Sequence, residues 1–292
     1  MLRGGEGAVK KVGLFYHPSF SRRSYLTVGR RLADFPAALE TFLGREDVVF
    51  YECPPVEEEL VLQVHTPELV RAVRQNPYCA TAWHSAGGVV QAVEEVARGE
   101  ILRAFAFIGA GGHHAGKDYF WGYCCFNDVV LAVVNCRQRT GVRRFAVVDT
   151  DAHHGDGTRE LCAGDPDILH VCFCDGDYVS ADGTKVDVDA TRRPPKGVSR
   201  DDHYLALVER EALPRVRDFK PQILIWYFGY DACKGDYGSL GLTPDLFPRL
   251  AGVMRRAADE HAGGRLAVVL GGGSRTDLAT YIIPRVIAEL LK

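Results

Sequence analysis

The sequence predicts an α/β protein in which helices cover both faces of a mostly parallel sheet, a three-layer αβα arrangement. Two observations predict it. Short, nearly continuous apolar runs alternate with longer segments of helical periodicity, and the residues able to do chemistry cluster directly after the runs. Strands covered on both faces read as unbroken apolar runs, and their alternation with helices builds βαβ units. Strands are expected at 12–16, 48–51, 104–108, 145–148, 168–173, 223–228 and 266–270. Helices are expected at 36–43, 67–75, 88–97, 128–138, 204–216, 246–261 and 279–291. The polar stretch 175–200 reads as a long rim loop. In open sheets of this kind ligands bind outside the carboxyl ends of the strands. The loops after Ile108, Val148, Phe228 and Leu270 are therefore expected to converge.

The 292 residues show no internal repeat, low-complexity tract or linker, so one domain spanning 1–292 is expected. A 47% hydrophobic content is ample for its core. The net charge of −3 is spread without long runs of one sign, and the most basic patch, Arg192 to Lys196, reads as a solvated loop. A nucleic-acid partner is not expected. No apolar run reaches the roughly 18–20 residues of a membrane span, and residues 1–11 lack the apolar stretch of a signal peptide. Nine cysteines occur without C-x-x-C spacing, so free thiols in a cytoplasmic protein are expected.

The densest chemistry lies in Asp149-Thr150-Asp151-Ala152-His153-His154-Gly155-Asp156, where three carboxylates and two imidazoles occupy eight positions after a strand. Residues two apart on an extended chain point the same way, so Asp149, Asp151 and His153 can share a face. Carboxylate and imidazole together suit Zn²⁺. A capped strand-to-helix turn would explain the aspartates but not the paired histidines. A second segment, Gly109 to Gly116, carries His113-His114 among glycines; metal ligands, acid/base groups and ordinary loop residues all remain open there. In a third, Phe228-Gly229-Tyr230-Asp231, the aspartate is either a third ligand or a turn residue. The fourth, Gly271-Gly272-Gly273-Ser274, implies close backbone approach to a ligand or a sharp turn.

In this order and spacing the four segments, with Gly122-Tyr123-Cys124 and Asn127-Asp128, resemble the histone deacetylase, acetylpolyamine amidohydrolase and acetoin-utilisation superfamily, from about Thr66 onward. The resemblance implies the arginase–deacetylase fold and a metal-dependent hydrolase of acylated amines. It implies that Asp151, His153 and Asp231 bind one zinc ion. His113 and His114 would contact the attacking water, His114 as general base, with Asp149 and Asp156 orienting them. Gly122, Tyr123, Gly272 and Gly273 would line the substrate channel. Iron(II) could fill the same metal site, and a potassium ion beside Asp149 and Asp151 is left open, because Cys172 stands where relatives often carry serine.

One position departs from the pattern. Active relatives usually place a tyrosine after the glycines, to hydrogen-bond the oxyanion; here the residue is Ser274. Losing one such donor typically costs about 10²–10³ in rate. A tyrosine from elsewhere could replace it, although Tyr281 falls in an apolar helical pattern that predicts a core role. The alternative is a weakly active or inactive protein that binds an acyl ligand. Gly238 also stands where polyamine-selective relatives tend to place a glutamate. A binuclear ureohydrolase would need an aspartate pair after the later strand, and Tyr230-Asp231 is not one.

Overall fold

The computed structural model describes residues 11–22 and 30–292; residues 1–10, most of the stretch read above for a signal peptide, lie outside the described residues. The strands are β1 (Val12–Tyr16), β2 (Val48–Glu52), β3 (Arg103–Ala106), β4 (Phe145–Asp149), β5 (Ile168–Cys174), β6 (Tyr178–Val179), β7 (Lys185–Asp189), β8 (Ile223–Phe228) and β9 (Leu266–Leu270). They form one sheet in the order β2-β1-β3-β9-β8-β4-β5-β7-β6. Every pairing is parallel except β6 with β7. β3, β4, β8 and β9 are buried along their whole length, as their apolar sequences require.

The helices are α1 (Ser19–Arg22), α2 (Glu58–Val61), α3 (Pro67–Gln75), α4 (Ala82–Arg98), α5 (Asp128–Thr140), α6 (Asp156–Cys162), α7 (Arg200–Glu211), α8 (Leu213–Phe219), α9 (Leu246–His261) and α10 (Thr276–Leu290). α4 packs on α5 and on β1, β3 and β9, while α9 packs on α7, α8, α10 and on β8 and β9. These two groups sandwich the sheet into the three layers expected. No helix among the described residues is long and apolar enough to cross a membrane.

Several elements differ from the sequence expectations. Residues 36–43 form only the 3₁₀ turn Ala37–Leu39, which has no side-chain cap and is followed closely by Gly44 in the left-handed region. So short a segment cannot offset the cost of helix nucleation. The span 204–216 is two helices, because Pro214 offers no N–H to continue α7. The polar stretch 175–200 contains β6 and β7; Val186 and Val188 are buried there, and carbonyls of Asp165 and Ile168 accept from the Lys185 ammonium at 2.9 and 2.7 Å. Tyr281 is not a core residue. It lies on the exposed side of α10, where its hydroxyl donates to Asp245 at 2.7 Å.

The sheet order decides where the chemistry gathers. β3, β9, β8 and β4 are consecutive neighbours, so the four loops singled out in the sequence leave the same edge side by side. Ile225 sits at the middle of this quartet, fully buried between Val147 and Ala267. Ile225→Ala is expected to destabilise the fold by about 2–5 kcal/mol, read from urea unfolding with an unchanged m value.

Candidate active site

Two of the four loops, those after β4 and β8, bring ligand-type atoms together. One oxygen or nitrogen from each of Asp151, His153 and Asp231 lies within 4.8 Å of the others. His153 Nδ1 is 3.2 Å from Asp151 Oδ1 and 2.9 Å from Asp231 Oδ2. One ring proton cannot serve both carboxylates. Asp231 Oδ2, fully buried, has the closeness of an ion pair but no hydrogen bond. Such an orphaned anionic oxygen beside a second carboxylate and an imidazole fits a divalent cation of the zinc type. Asp151 Oδ2 accepts from the Gly272 amide at 2.6 Å, which orients that carboxylate. Gly272 must be glycine: a methyl there would meet Asp151 Oδ2 at 2.6 Å and the Asp231 carboxyl carbon at 2.8 Å.

The electrostatics reflect the crowding. The carboxylates of Asp151 and Asp231, both close to its Nδ1, raise His153 to about 10. Burial, then the Asp151 charge, pushes Asp231 well above the usual carboxylate range. Burial works the same way on Asp151, but the surrounding imidazoles, His113 foremost, outweigh it and hold that group low.

Both histidines of the second segment are buried beside this trio. His113 Nδ1 pairs with Asp149 Oδ2 at 3.0 Å, and its ring stacks on Tyr227 at 4.7 Å. Burial disfavours its charge, yet Asp151 and Asp149 together raise it to about 9. His114 Nδ1 pairs with Asp156 Oδ1 at 2.6 Å, and Trp121 Nε1 donates to the other Asp156 oxygen at 2.9 Å. Burial first, then His113, lowers His114. A carboxylate only accepts, so the proton of neutral His114 sits on Nδ1 and leaves Nε2 as an acceptor. The histidine loop is fastened from behind by His65, whose ring pairs with the Gly116 carbonyl at 2.8 Å and accepts from the Asn127 amide at 3.0 Å. Asn127 in turn caps α5.

His113, His114, Asp151 and His153 open on a cavity of about 280 Å³, walled in part by Tyr123 and Tyr237. Gly122 and Gly272 line it; Gly273, also expected to line a channel, does not, and its amide instead donates to the Tyr237 hydroxyl. Tyr123 holds φ at +65°, a left-handed conformation rare outside glycine and common at ligand sites. Ser274 does not face the cavity: its hydroxyl and amide both donate to Asp236, at 2.7 and 3.0 Å.

Residues 76–290 match the histone deacetylase domain family. The chain belongs to that family. Among its relatives, the histone deacetylase-like amidohydrolase of Pseudomonas aeruginosa is 32% identical over 70% of this chain and 57% of its own length. Histone deacetylase 5 of Arabidopsis thaliana is 32% identical over 67% of the chain and 32% of its own length. The mouse polyamine deacetylase HDAC10 is 28% identical over 82% and 40%. The chain thus spans only part of these curated relatives. Its fold is that of the HD domain of HDA15, with a TM-score of 0.82, 23% identity, and coverage of 97% of this chain and 90% of that one.

For this histone deacetylase domain, sequence reasoning missed several cavity residues. Trp121 directly precedes the Gly122-Tyr123 pair and could have been read with it. Arg31 carries no local signal, yet its buried guanidinium donates to the Gly271, Gly273 and Ile108 carbonyls at 2.5, 3.1 and 3.0 Å, tying two site loops together. Tyr227 was hidden inside an apolar strand. The group Asp149, His170 and Cys172 is buried as well. Arg159 donates to His170 Nδ1 at 3.3 Å, so Nε2 carries the ring proton and faces Asp149 Oδ2 at 3.9 Å. An N–H donor and a thiol suit a potassium ion poorly.

Ligands must be deprotonated to bind a metal. Since His153 is held at about 10 without one, metal uptake near neutral pH is expected to release protons and to tighten as pH rises from 6 to 8. Titration calorimetry in buffers of different ionisation enthalpy checks this, and a buffer-independent enthalpy would contradict it.

Proposed function

We propose that this domain is a zinc-dependent amide hydrolase that removes an acyl group from an acylated amine by means of an activated water. The observation carrying the proposal is the meeting of Asp151, His153 and Asp231 at an aromatic-walled cavity, with His113–Asp149 and His114–Asp156 pairs beside it. Zinc bound there supplies a Lewis acid that polarises the amide carbonyl and acidifies water; iron(II) suits the same donors. The remaining chemistry belongs to the chain. His114 Nε2, fixed as an acceptor by Asp156, takes a proton from water and returns it to the departing amine. Asp149 holds His113 in place by the same kind of bond. Tyr123 and Tyr237 form the apolar walls along which the amine's alkyl arm would lie.

The relatives include proteins named as histone and polyamine deacetylases. In this chain a carboxylate at position 238 has no room, because a methyl on Gly238 would already meet Ala152 and Asp231 Oδ2 at 2.6 Å. That favours an acyl-lysine or a small monoacylated amine over a polycation. The nine cysteines are free and buried, which supports a reducing, cytoplasmic setting. We place the whole of 1–292 in one catalytic domain.

Ser274, turned towards Asp236, favours a second reading in which the site binds acyl ligands without turnover. Assay of the zinc-loaded protein on acetyl-lysine and trifluoroacetyl-lysine separates the two: acetate release supports hydrolysis, and tight binding with neither substrate cleaved supports the binder. Under the hydrolase reading, Asp231→Asn is expected to lose the metal and all measurable turnover. His114→Ala is expected to keep the metal and lose about 10²–10⁴ in kcat.

A further inference from the structure

We propose that Tyr237 supplies the hydroxyl that hydrogen-bonds the substrate's carbonyl oxygen as it becomes an oxyanion, in place of the group that Ser274 does not offer. The inference rests on the hydrolase reading above and assigns a catalytic residue within it.

Tyr237 has a divided environment. The residue is 43% exposed at the cavity rim, whereas its hydroxyl reaches inward and accepts from the Gly273 amide at 3.1 Å. Among the described residues nothing accepts the hydroxyl's own proton, which leaves it free for a ligand. A methyl built on Gly272 would lie 2.8 Å from this hydroxyl, 2.6 Å from Asp151 Oδ2 and 2.8 Å from the Asp231 carboxyl carbon. The hydroxyl and the two metal-type carboxylates therefore crowd around the same side of Gly272, too closely for a methyl to fit between them. The ring stacks on His153 at 5.6 Å and 25° and meets Tyr123 edge-on at 5.9 Å, so its direction is fixed from both sides.

Asp236 links the missing group to its replacement. One Asp236 oxygen accepts from the Ser274 hydroxyl at 2.7 Å and from the Tyr237 amide at 2.8 Å. The other accepts from the amides of Ser274 and Arg275 at 3.0 and 3.2 Å. The carboxylate clamps the β8 and β9 loops together, draws Ser274 out of the cavity and sets the next residue, Tyr237, into it. Two rival tyrosines are placed otherwise. Tyr227 is packed under the His113 ring, where its hydroxyl accepts from the Gly112 and His113 amides of the β3 loop at 3.1 and 3.4 Å, and Tyr281 is at the surface.

In the reaction, the water oxygen bonds to the carbonyl carbon while one water proton passes to His114 Nε2. The carbonyl π electrons move onto oxygen, where the Tyr237 hydroxyl donates to them. Collapse reforms the carbonyl and breaks the C–N bond, the amine takes the proton from His114, and a carboxylic acid is left. Tyr237 keeps its proton throughout.

The test compares metal-loaded wild type with Tyr237→Phe, which keeps the stacking ring and deletes only the hydroxyl. kcat on acetyl-lysine is expected to fall about 10²–10³ with little change in KM. The loss is expected to be smaller on trifluoroacetyl-lysine, whose carbonyl needs less help, and metal content and Tm are expected to hold. Calorimetric affinity for a trifluoromethyl-ketone analogue of acetyl-lysine, which presents the oxyanion without turnover, is expected to fall in parallel. Adding Ser274→Tyr to Tyr237→Phe is expected to restore part of both. Wild-type kcat and ketone affinity in Tyr237→Phe would overturn this assignment alone. If wild type binds the ketone but cleaves neither substrate, the hydrolase reading fails while the ketone comparison still decides the contact. If it does neither, both fail.

Discussion

Two fully buried carboxylates, Asp151 and Asp231, face one imidazole, and the rest of the site depends on that encounter. Negative charge removed from water is tolerated only when it is paired and hydrogen-bonded. Here the pairing within the protein is incomplete: His153 has one Nδ1 for two acceptors, and one Asp231 oxygen is left without a hydrogen bond. A cation would complete the arrangement. The neighbouring groups follow the same logic, since His113 and His114 each lean on a carboxylate of their own. Four aspartates and three histidines thus share a small volume in which the sign of each charge is set by its neighbours.

The fold makes the encounter possible by sheet order rather than by chain order. Segments up to about 160 residues apart in sequence, at His113 and Gly272, meet because β3 and β9 are paired and β8 and β4 follow. Glycine permits the last approach. The Gly272 amide reaches Asp151, and no side chain fits in its place. Behind these loops Arg31 and His65 act as fasteners that hold carbonyls and amides no strand can pair.

Much of this was legible in the sequence, for a physical reason in each case. Parallel strands of the sheet's interior announce themselves as apolar runs, so the seven strands read from such runs were placed within a residue or two. β6 and β7 were missed because β6 is only two residues long and β7 alternates valine with charged residues inside a polar stretch, without the apolar run of its neighbours. The candidate ligand trio and the histidine–aspartate pairs were legible because they fall in dense, unusual clusters next to strands. Tyr237 was not: it lies in a turn six residues after Asp231, and only the Asp236 clamp gives it a direction. Arg31 was not legible either, because its role depends on carbonyls 77 to 242 residues away in the chain. Tyr281 shows the converse error, an aromatic in a helical pattern that faces solvent.

The described residues contain three groups able to hold a metal, and two of them include a cysteine: Cys172 in one, and Cys174 with His154 and Asp187 in the other. In the latter, Arg159 already pairs with Asp187 at 2.6 Å, which leaves less unbalanced charge to attract a cation. X-ray absorption at the zinc edge of the stoichiometrically loaded protein therefore tests the central claim most directly. The account predicts nearest scatterers that are all nitrogen or oxygen, at about 2.0–2.2 Å. A sulfur scatterer at about 2.3 Å would put the metal elsewhere and contradict it.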